Sequence, residues 1–101
     1  DDVCSCIETI IRSKTKKNNI FNLSSNNPII LREVVEKIFK IISPDTAKPL
    51  FGEKPFRKDQ VYFLHGCNNK LFYTYNWKPI INLDQGLKAT IDHERKVLNN
   101  R

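Results

Sequence analysis

The chain is organised around the stretch from Pro55 to Pro79, which reads PFRKDQVYFLHGCNNKLFYTYNWKP. It places Arg57 in a turn ahead of the apolar run Val61–Leu64, and it closes on the only tryptophan, Trp77. A guanidinium on an irregular segment between rigid elements suits bidentate recognition of a phosphate or a carboxylate. The same pattern is also typical of a surface arginine in a solvated loop, so both interpretations of Arg57 stay open.

Apolar periodicity on both sides of this stretch predicts three amphipathic helices. They are expected from Val3 to about Ser13, over Leu31–Ile42 and over about Leu83–Val97, and a brief helix is expected over Asn68–Tyr75. Aspartates at the start of the first helix suit N-terminal capping, and the sequence Asn-Leu-Asp-Gln at 82–85 has the form of a capping box. These segments account for most of the apolar residues.

Two short runs are rich in β-branched and aromatic residues and predict strands. They are Asn19–Leu23 and Val61–Leu64, each bounded by polar residues or turn residues. Three amphipathic helices with short strands between them predict a small unit of the α/β (α+β) class.

Length, charge and cysteine usage limit the possible functions. A chain of 101 residues is predicted to form a single domain, 1–101, and its lack of methionine indicates a fragment of a longer protein. No apolar run approaches about 18 residues, so no membrane segment is predicted. Three cysteines and two histidines lack metal-ligand spacing, which predicts no metal site and reduced thiols in a cytoplasmic protein.

The net charge of +6 raises a second possibility, a small basic module for RNA or DNA. Such a module would use Arg57, Lys58 and the lysines of the 13–19 loop, with Tyr62 or Phe63 stacking on bases. The charge is spread along the chain, and lysine-rich loops are usually only solvated, which disfavours nucleic acid as the partner. A plain protein-interaction domain is a third possibility.

Six short motifs occur in an order that is similar to the carboxyl-terminal part of one enzyme family. Asp1-Asp2-Val3 resembles its Val-Asp-Asp-Val helix start. Phe21-Asn22-Leu23-Ser24-Ser25 resembles its Tyr-Asn-Leu-Gly-Ser strand end, and Ile30-Leu31-Arg32-Glu33-Val34 resembles its Ser-Ile-Arg-Glu-Leu helix start.

The other three motifs follow in the second half of the chain. Arg57-Lys58-Asp59-Gln60-Val61 resembles an Arg-Pro-Gly/Asp-Asp/Glu-Val motif. Asn69-Lys70 through Asn76-Trp77-Lys78-Pro79 resembles Ser-Lys-Ala-x-x-x-Leu-Gly-Trp-Lys-Pro, and Asn82-Leu83-Asp84-Gln85-Gly86-Leu87 resembles Ser-Leu-Glu-Glu-Gly-Leu. The family is the extended short-chain dehydrogenase/reductases that act on nucleotide sugars, namely the epimerases and dehydratases.

This resemblance implies a function for the chain. In the family, an amino-terminal Rossmann domain holds NAD or NADP and the catalytic residues, and a smaller carboxyl-terminal domain binds the nucleotide-diphosphate sugar. The chain would then be most of that second domain, separated from its Rossmann half and without a cofactor of its own. Arg57 would bind the diphosphate, and Gln60 lies where the family often has an acid that contacts the ribose hydroxyls.

The chain by itself is predicted not to be an enzyme. Its glycines are only Gly52, Gly66 and Gly86, so no glycine-rich loop can bind a dinucleotide. No Tyr-x-x-x-Lys pair is present, and no nucleophile and base come together by spacing. We therefore expect substrate-binding residues, Arg57 and Gln60, but no catalytic or cofactor-binding residue.

Overall fold

A computed structural model describes residues 1–14, 19–43 and 48–100 of the chain. These residues form four α-helices and no β-strand. The helices are α1 (Asp2–Arg12), α2 (Leu31–Ile42), α3 (Asn69–Tyr75) and α4 (Leu83–Asn99). The helices predicted from the sequence are confirmed, with small differences at their ends.

The predicted α/β (α+β) class is wrong, because neither predicted strand forms. Residues 19–23 form no β-ladder in the described part of the chain. Side chains from the start of α3 meet the carbonyls of this region instead: Lys70 Nζ donates to Ile20 O at 2.9 Å, and Asn68 Nδ2 donates to Ser24 O at 2.7 Å. A strand needs a neighbouring strand for its hydrogen bonds, and the described residues contain no such strand.

The second predicted strand, Val61–Leu64, is an exposed irregular segment. Its four side chains are between 65% and 89% exposed. Strand-forming residues stabilise a strand mainly by packing on a half-buried surface, and these four residues have no such surface in the described structure. The apolar side chains that predicted a strand are therefore exposed to solvent.

The chain divides into two compact units. Unit 1 consists of Asp1–Pro28 and Phe63–Ile81, and unit 2 consists of Ile29–Tyr62 and Asn82–Arg101. Unit 1 contains α1 and α3, and unit 2 contains α2 and α4. The prediction that residues 1–101 form a single domain stays a prediction.

Unit 1 has a small apolar core around Trp77. Cys6, Leu71 and Trp77 are buried together, and three half-buried side chains pack against them: Ile10, Phe21 and Tyr75. The indole Nε1 of Trp77 donates to Ser5 Oγ at 2.9 Å, so the buried polar atom of the ring has a partner on α1. Trp77 is therefore a core residue of unit 1.

A network of asparagine side chains joins the 24–26 loop to the start of α3. The backbone N–H of Asn68 donates to Asn26 Oδ1 at 2.6 Å, and Asn26 Nδ2 donates to Asn69 Oδ1 at 2.9 Å. Asn68 is only 5% exposed, and its amide donates to the Ser24 carbonyl. Gly66 lies close to the same loop, since a Cβ at this position would approach Ser24 Cβ to 2.8 Å.

The amino terminus of α1 is fixed by Asp2 in a way that the sequence did not predict. Asp1 occupies the N-cap position, but its side chain makes no capping hydrogen bond. The Asp2 carboxylate instead accepts the backbone N–H groups of Ile80, at 3.2 Å, and Ile81, at 3.1 Å. This contact links the first and last segments of unit 1.

In unit 2, α2 and α4 pack against each other. Ile91 on α4 is buried, and an exposed ion pair joins Lys37 of α2 to Asp84 of α4. Arg95 Nη2 donates to the carbonyls of Ile41 and Ile42, at 3.2 and 3.4 Å. These are orphan carbonyls of the last turn of α2, and a cation suits the negative end of the helix dipole.

The predicted capping box of α4 is confirmed. Gln85 N donates to Asn82 Oδ1 at 2.9 Å, and Asn82 N donates to Gln85 Oε1 at 3.0 Å. Two backbone donors that lack partners inside the helix are therefore satisfied reciprocally.

We predict that Asn68→Ala destabilises unit 1 by about 1–3 kcal/mol, because the half-buried carbonyl of Ser24 loses its donor. Urea unfolding followed by the fluorescence of Trp77, which lies in the same unit, measures this loss. The matched control is Asn27→Ala, whose side chain makes no hydrogen bond to a described residue. Equal stability of the two variants would contradict the role given to Asn68.

We also predict that Asn82→Ala loosens the first turn of α4 at a cost of about 1 kcal/mol, whereas Asn82→Ser keeps the cap. Amide hydrogen exchange at Gln85 is the direct measurement, because this N–H is the one that the cap accepts. Unchanged protection of Gln85 in Asn82→Ala would show that the capping box does not stabilise the turn.

Candidate functional site

The candidate site lies on the irregular segment 48–62 of unit 2. Gln60 N donates to Arg57 O at 3.2 Å, so residues 57–60 form a hydrogen-bonded turn. The side chains of Arg57 and Gln60 are both exposed. The structure thus gives Arg57 the turn position that the sequence predicted, with Gln60 at the other end of the same turn.

A contact with α2 anchors the start of this segment. The guanidinium carbon of Arg32 lies 3.9 Å from the centroid of the Phe51 ring. A cation over an aromatic face at this distance is attractive, and the planar guanidinium also stacks well. The turn at 57–60 therefore follows a point that is tied to the helical part of unit 2.

The arginines in the described part of the chain differ in how their guanidinium groups are used. Arg12 pairs with Glu8 at 2.8 Å, Arg32 stacks on Phe51, and Arg95 donates to the last carbonyls of α2. The guanidinium of Arg57 has no hydrogen bond, ion pair or ring contact with any described residue. All its donors are therefore available to a ligand.

Charges close to Arg57 in the sequence favour an anion. Residues 53–60 contain three cations, Lys54, Arg57 and Lys58, and two carboxylates, Glu53 and Asp59, which gives a local net charge of +1. None of these carboxylates forms an ion pair with Arg57 in the described structure. A phosphate that approaches the turn meets a cation whose charge is not already neutralised.

Gln60 can act as a hydrogen-bond acceptor beside Arg57. Its amide Nε2 makes a long contact of 3.4 Å with the carbonyl of Val61, while its Oε1 has no partner among the described residues. The amide oxygen can accept a hydrogen bond from a hydroxyl group, but it carries no charge. The turn thus carries a charged guanidinium at Arg57 and a neutral acceptor at Gln60.

Two aromatic rings flank the turn, and their pairing was not predicted. Phe56 and Tyr62 meet edge to face, with ring centroids 5.4 Å apart and an interplanar angle of 66°. Phe63, the other aromatic residue considered for stacking, pairs with His65 at 6.4 Å instead. The two rings lie on either side of the turn at 57–60.

Other chemistry in the described residues is sparse. Cys4 and Cys67 are exposed and Cys6 is buried, so Cys4 and Cys6 lie on different faces of α1. Burial raises the pKa of the Cys6 thiol, which makes it a poor nucleophile. No cluster of His, Cys, Asp or Glu that could hold a metal ion occurs among these residues.

The structure describes part of the lysine-rich loop. In this loop, Lys14 is exposed, whereas Lys16 and Lys17 lie outside the described residues.

None of the described helices has the length and apolar content that crossing a membrane requires.

Comparison with protein-family models, with curated proteins and with solved structures finds no match to this chain.

Proposed function

We propose that this chain is the nucleotide-sugar-binding, carboxyl-terminal part of an NAD(P)-dependent epimerase or dehydratase. Arg57 binds the diphosphate of the substrate, and Gln60 accepts a hydrogen bond from the ribose. The observation that carries the proposal is the state of Arg57: among the described arginines it alone has a guanidinium without a protein partner.

The chemistry of the diphosphate supports this role for Arg57. A guanidinium presents paired N–H donors in a plane, and two of them match two oxygens of one phosphate. An exposed arginine on a turn can reach a ligand without losing an internal contact. The cost of binding is then limited to the rotamer freedom of the side chain and to its desolvation.

The positions of the helices also support the proposal. The two motifs that resemble helix starts in the family coincide with helix starts in this chain: α1 begins at Asp2 and α2 at Leu31. The motif at 21–25, which resembles a strand end in the family, forms no strand here. The resemblance therefore agrees with the helical part of the structure.

Exposed apolar side chains on α1 form a surface that the proposed Rossmann domain could cover. Val3, Ile7 and Ile11 follow one another at four-residue spacing and are 54%, 52% and 72% exposed. Such a stripe normally packs on another surface. In the proposed whole protein that surface belongs to the domain that carries NAD or NADP and the catalytic residues, and this chain supplies substrate binding only.

A small basic nucleic-acid-binding module is the second candidate. The exposure of Tyr62 favours it, because this ring follows the turn that carries Arg57 and Lys58, and unstacked bases pack on exposed aromatic rings. The two candidates differ in salt dependence. Binding to a nucleic acid falls steeply with salt, since many phosphates release counterions, whereas one diphosphate gives a shallow slope.

We predict that Arg57→Ala weakens the binding of a nucleotide-diphosphate sugar by about tenfold or more, because the charged fork is lost. Arg57→Lys should fall between Arg57→Ala and the unchanged protein, since it keeps the charge but not the paired donors. Phosphorus NMR titrations with uridine-, thymidine- and guanosine-diphosphate sugars measure the dissociation constants.

The matched control for this experiment is Arg12→Ala, which removes the same charge from an exposed arginine that is already paired with Glu8. It should leave the dissociation constants unchanged. The proposal fails if none of the diphosphate sugars binds, or if Arg12→Ala weakens binding as much as Arg57→Ala does.

A further inference from the structure

The apolar segment Val61–Leu64 has backbone groups that the described structure does not use. The N–H groups of these four residues donate to no described residue. Among their carbonyls, that of Val61 accepts a long hydrogen bond of 3.4 Å from the Gln60 side chain, and the others accept none from a described residue. A row of unpaired N–H and C=O groups is a template for strand pairing with another chain.

The side chains of the same segment are also free. All four are between 65% and 89% exposed, so none of them is buried in a core. The ring of Tyr62 meets the ring of Phe56 edge to face, and Phe63 meets His65 in the same way. These contacts still leave Tyr62 and Phe63 78% and 77% exposed. The segment therefore offers apolar side chains as well as main-chain hydrogen bonds to a partner.

The residues from Gln60 to His65 have the composition of segments that form stacked β-strands. Their sequence is QVYFLH, which contains no Lys, Arg, Asp or Glu and no Gly or Pro. Short segments of this kind pair in register with identical segments of other copies, about 4.7 Å apart. Such a stack places each side chain beside its own copy, so a charged segment repels itself whereas an uncharged segment does not.

Other exposed apolar residues of the chain lack this combination. Val3, Ile7 and Ile11 are exposed on α1, but a helix uses its backbone groups for its own hydrogen bonds. The other run predicted as a strand contains Ile20, whose carbonyl accepts a hydrogen bond from Lys70. In Val61–Leu64, by contrast, exposed apolar side chains and free backbone groups coincide.

We propose that Val61–Leu64 is a self-association site at which copies of this chain pair in register as β-strands. The partner is a second copy because the segment is uncharged and therefore complementary to itself, and because pairing supplies the hydrogen bonds that the single chain lacks. Each added copy leaves a further free edge, so the assembly grows and does not close at a dimer. This inference uses neither Arg57 nor its ligand and is independent of the proposed function.

The test follows the chain as its concentration is raised from the micromolar to the millimolar range, where exposed strand edges lead to assembly. Light scattering measures particle size, and infrared absorption of the backbone measures β-sheet content. Both should rise together for the unchanged chain. Phe63→Lys should raise the concentration at which assembly begins by about tenfold or more, because like charges then face each other at every step of the stack, and added salt should partly restore assembly.

The matched control is Ile80→Lys, which adds the same charge at an apolar side chain that is 80% exposed and lies outside the segment. It should assemble like the unchanged chain. Circular dichroism and Trp77 fluorescence at micromolar concentration check that both variants keep their helices and the core of unit 1. An equal mixture of Phe63→Lys and Phe63→Glu should assemble although neither variant does so alone, since opposite charges then alternate at one position of the stack.

Four results would overturn this inference. The unchanged chain stays monomeric over the whole range, which would mean that the segment needs a partner other than a second copy. Scattering rises without a gain in β-sheet, which would place the association on a helix face such as that of Val3, Ile7 and Ile11. Phe63→Lys assembles as readily as Ile80→Lys. The mixture of the two Phe63 variants stays monomeric while the unchanged chain assembles, which would refute pairing in register.

Discussion

The small amount of apolar surface that this structure buries limits the stability that the hydrophobic effect can supply. In the described residues the buried apolar side chains are Cys6, Leu71 and Trp77 in unit 1 and Ile91 in unit 2. A small chain gains little from burial, so polar contacts must supply a larger share of its stability. The buried amide of Asn68, the Asp2 carboxylate and the capping box of α4 are such contacts, and each one satisfies backbone groups that water would otherwise reach.

The sequence predicts the helices well because their signals are local. The box of Asn82 and Gln85 and the apolar stripes each lie within one segment, so no distant residue is needed to interpret them. Strands differ, because a strand forms only with a partner, and the acceptors near residues 19–24 are taken by the side chains of Lys70 and Asn68. Those contacts span more than 40 residues of sequence and have no local signature, so the α/β (α+β) prediction failed there.

The candidate site was predictable in part. The turn at 57–60 follows from its polar residues, and the chemistry of a guanidinium suggests an anion at Arg57. The sequence does not show that the guanidinium of Arg57 lacks a partner whereas those of the other described arginines have one. Arg32 and Arg95 are also surface residues, yet one stacks on Phe51 and the other caps α2. The Phe56 and Tyr62 pair was missed for the same reason, since it depends on the path of an irregular segment.

We propose that the guanidinium of Arg57 is the group that binds the diphosphate. The most direct measurement is the nitrogen–proton correlation spectrum of the arginine side chains during addition of a diphosphate sugar, which reports on each of the five arginines separately. The Nε–Hε signal of Arg57 should shift most and should saturate together with the phosphorus signal of the ligand. Shifts at other arginines while the Arg57 signal stays in place would contradict it.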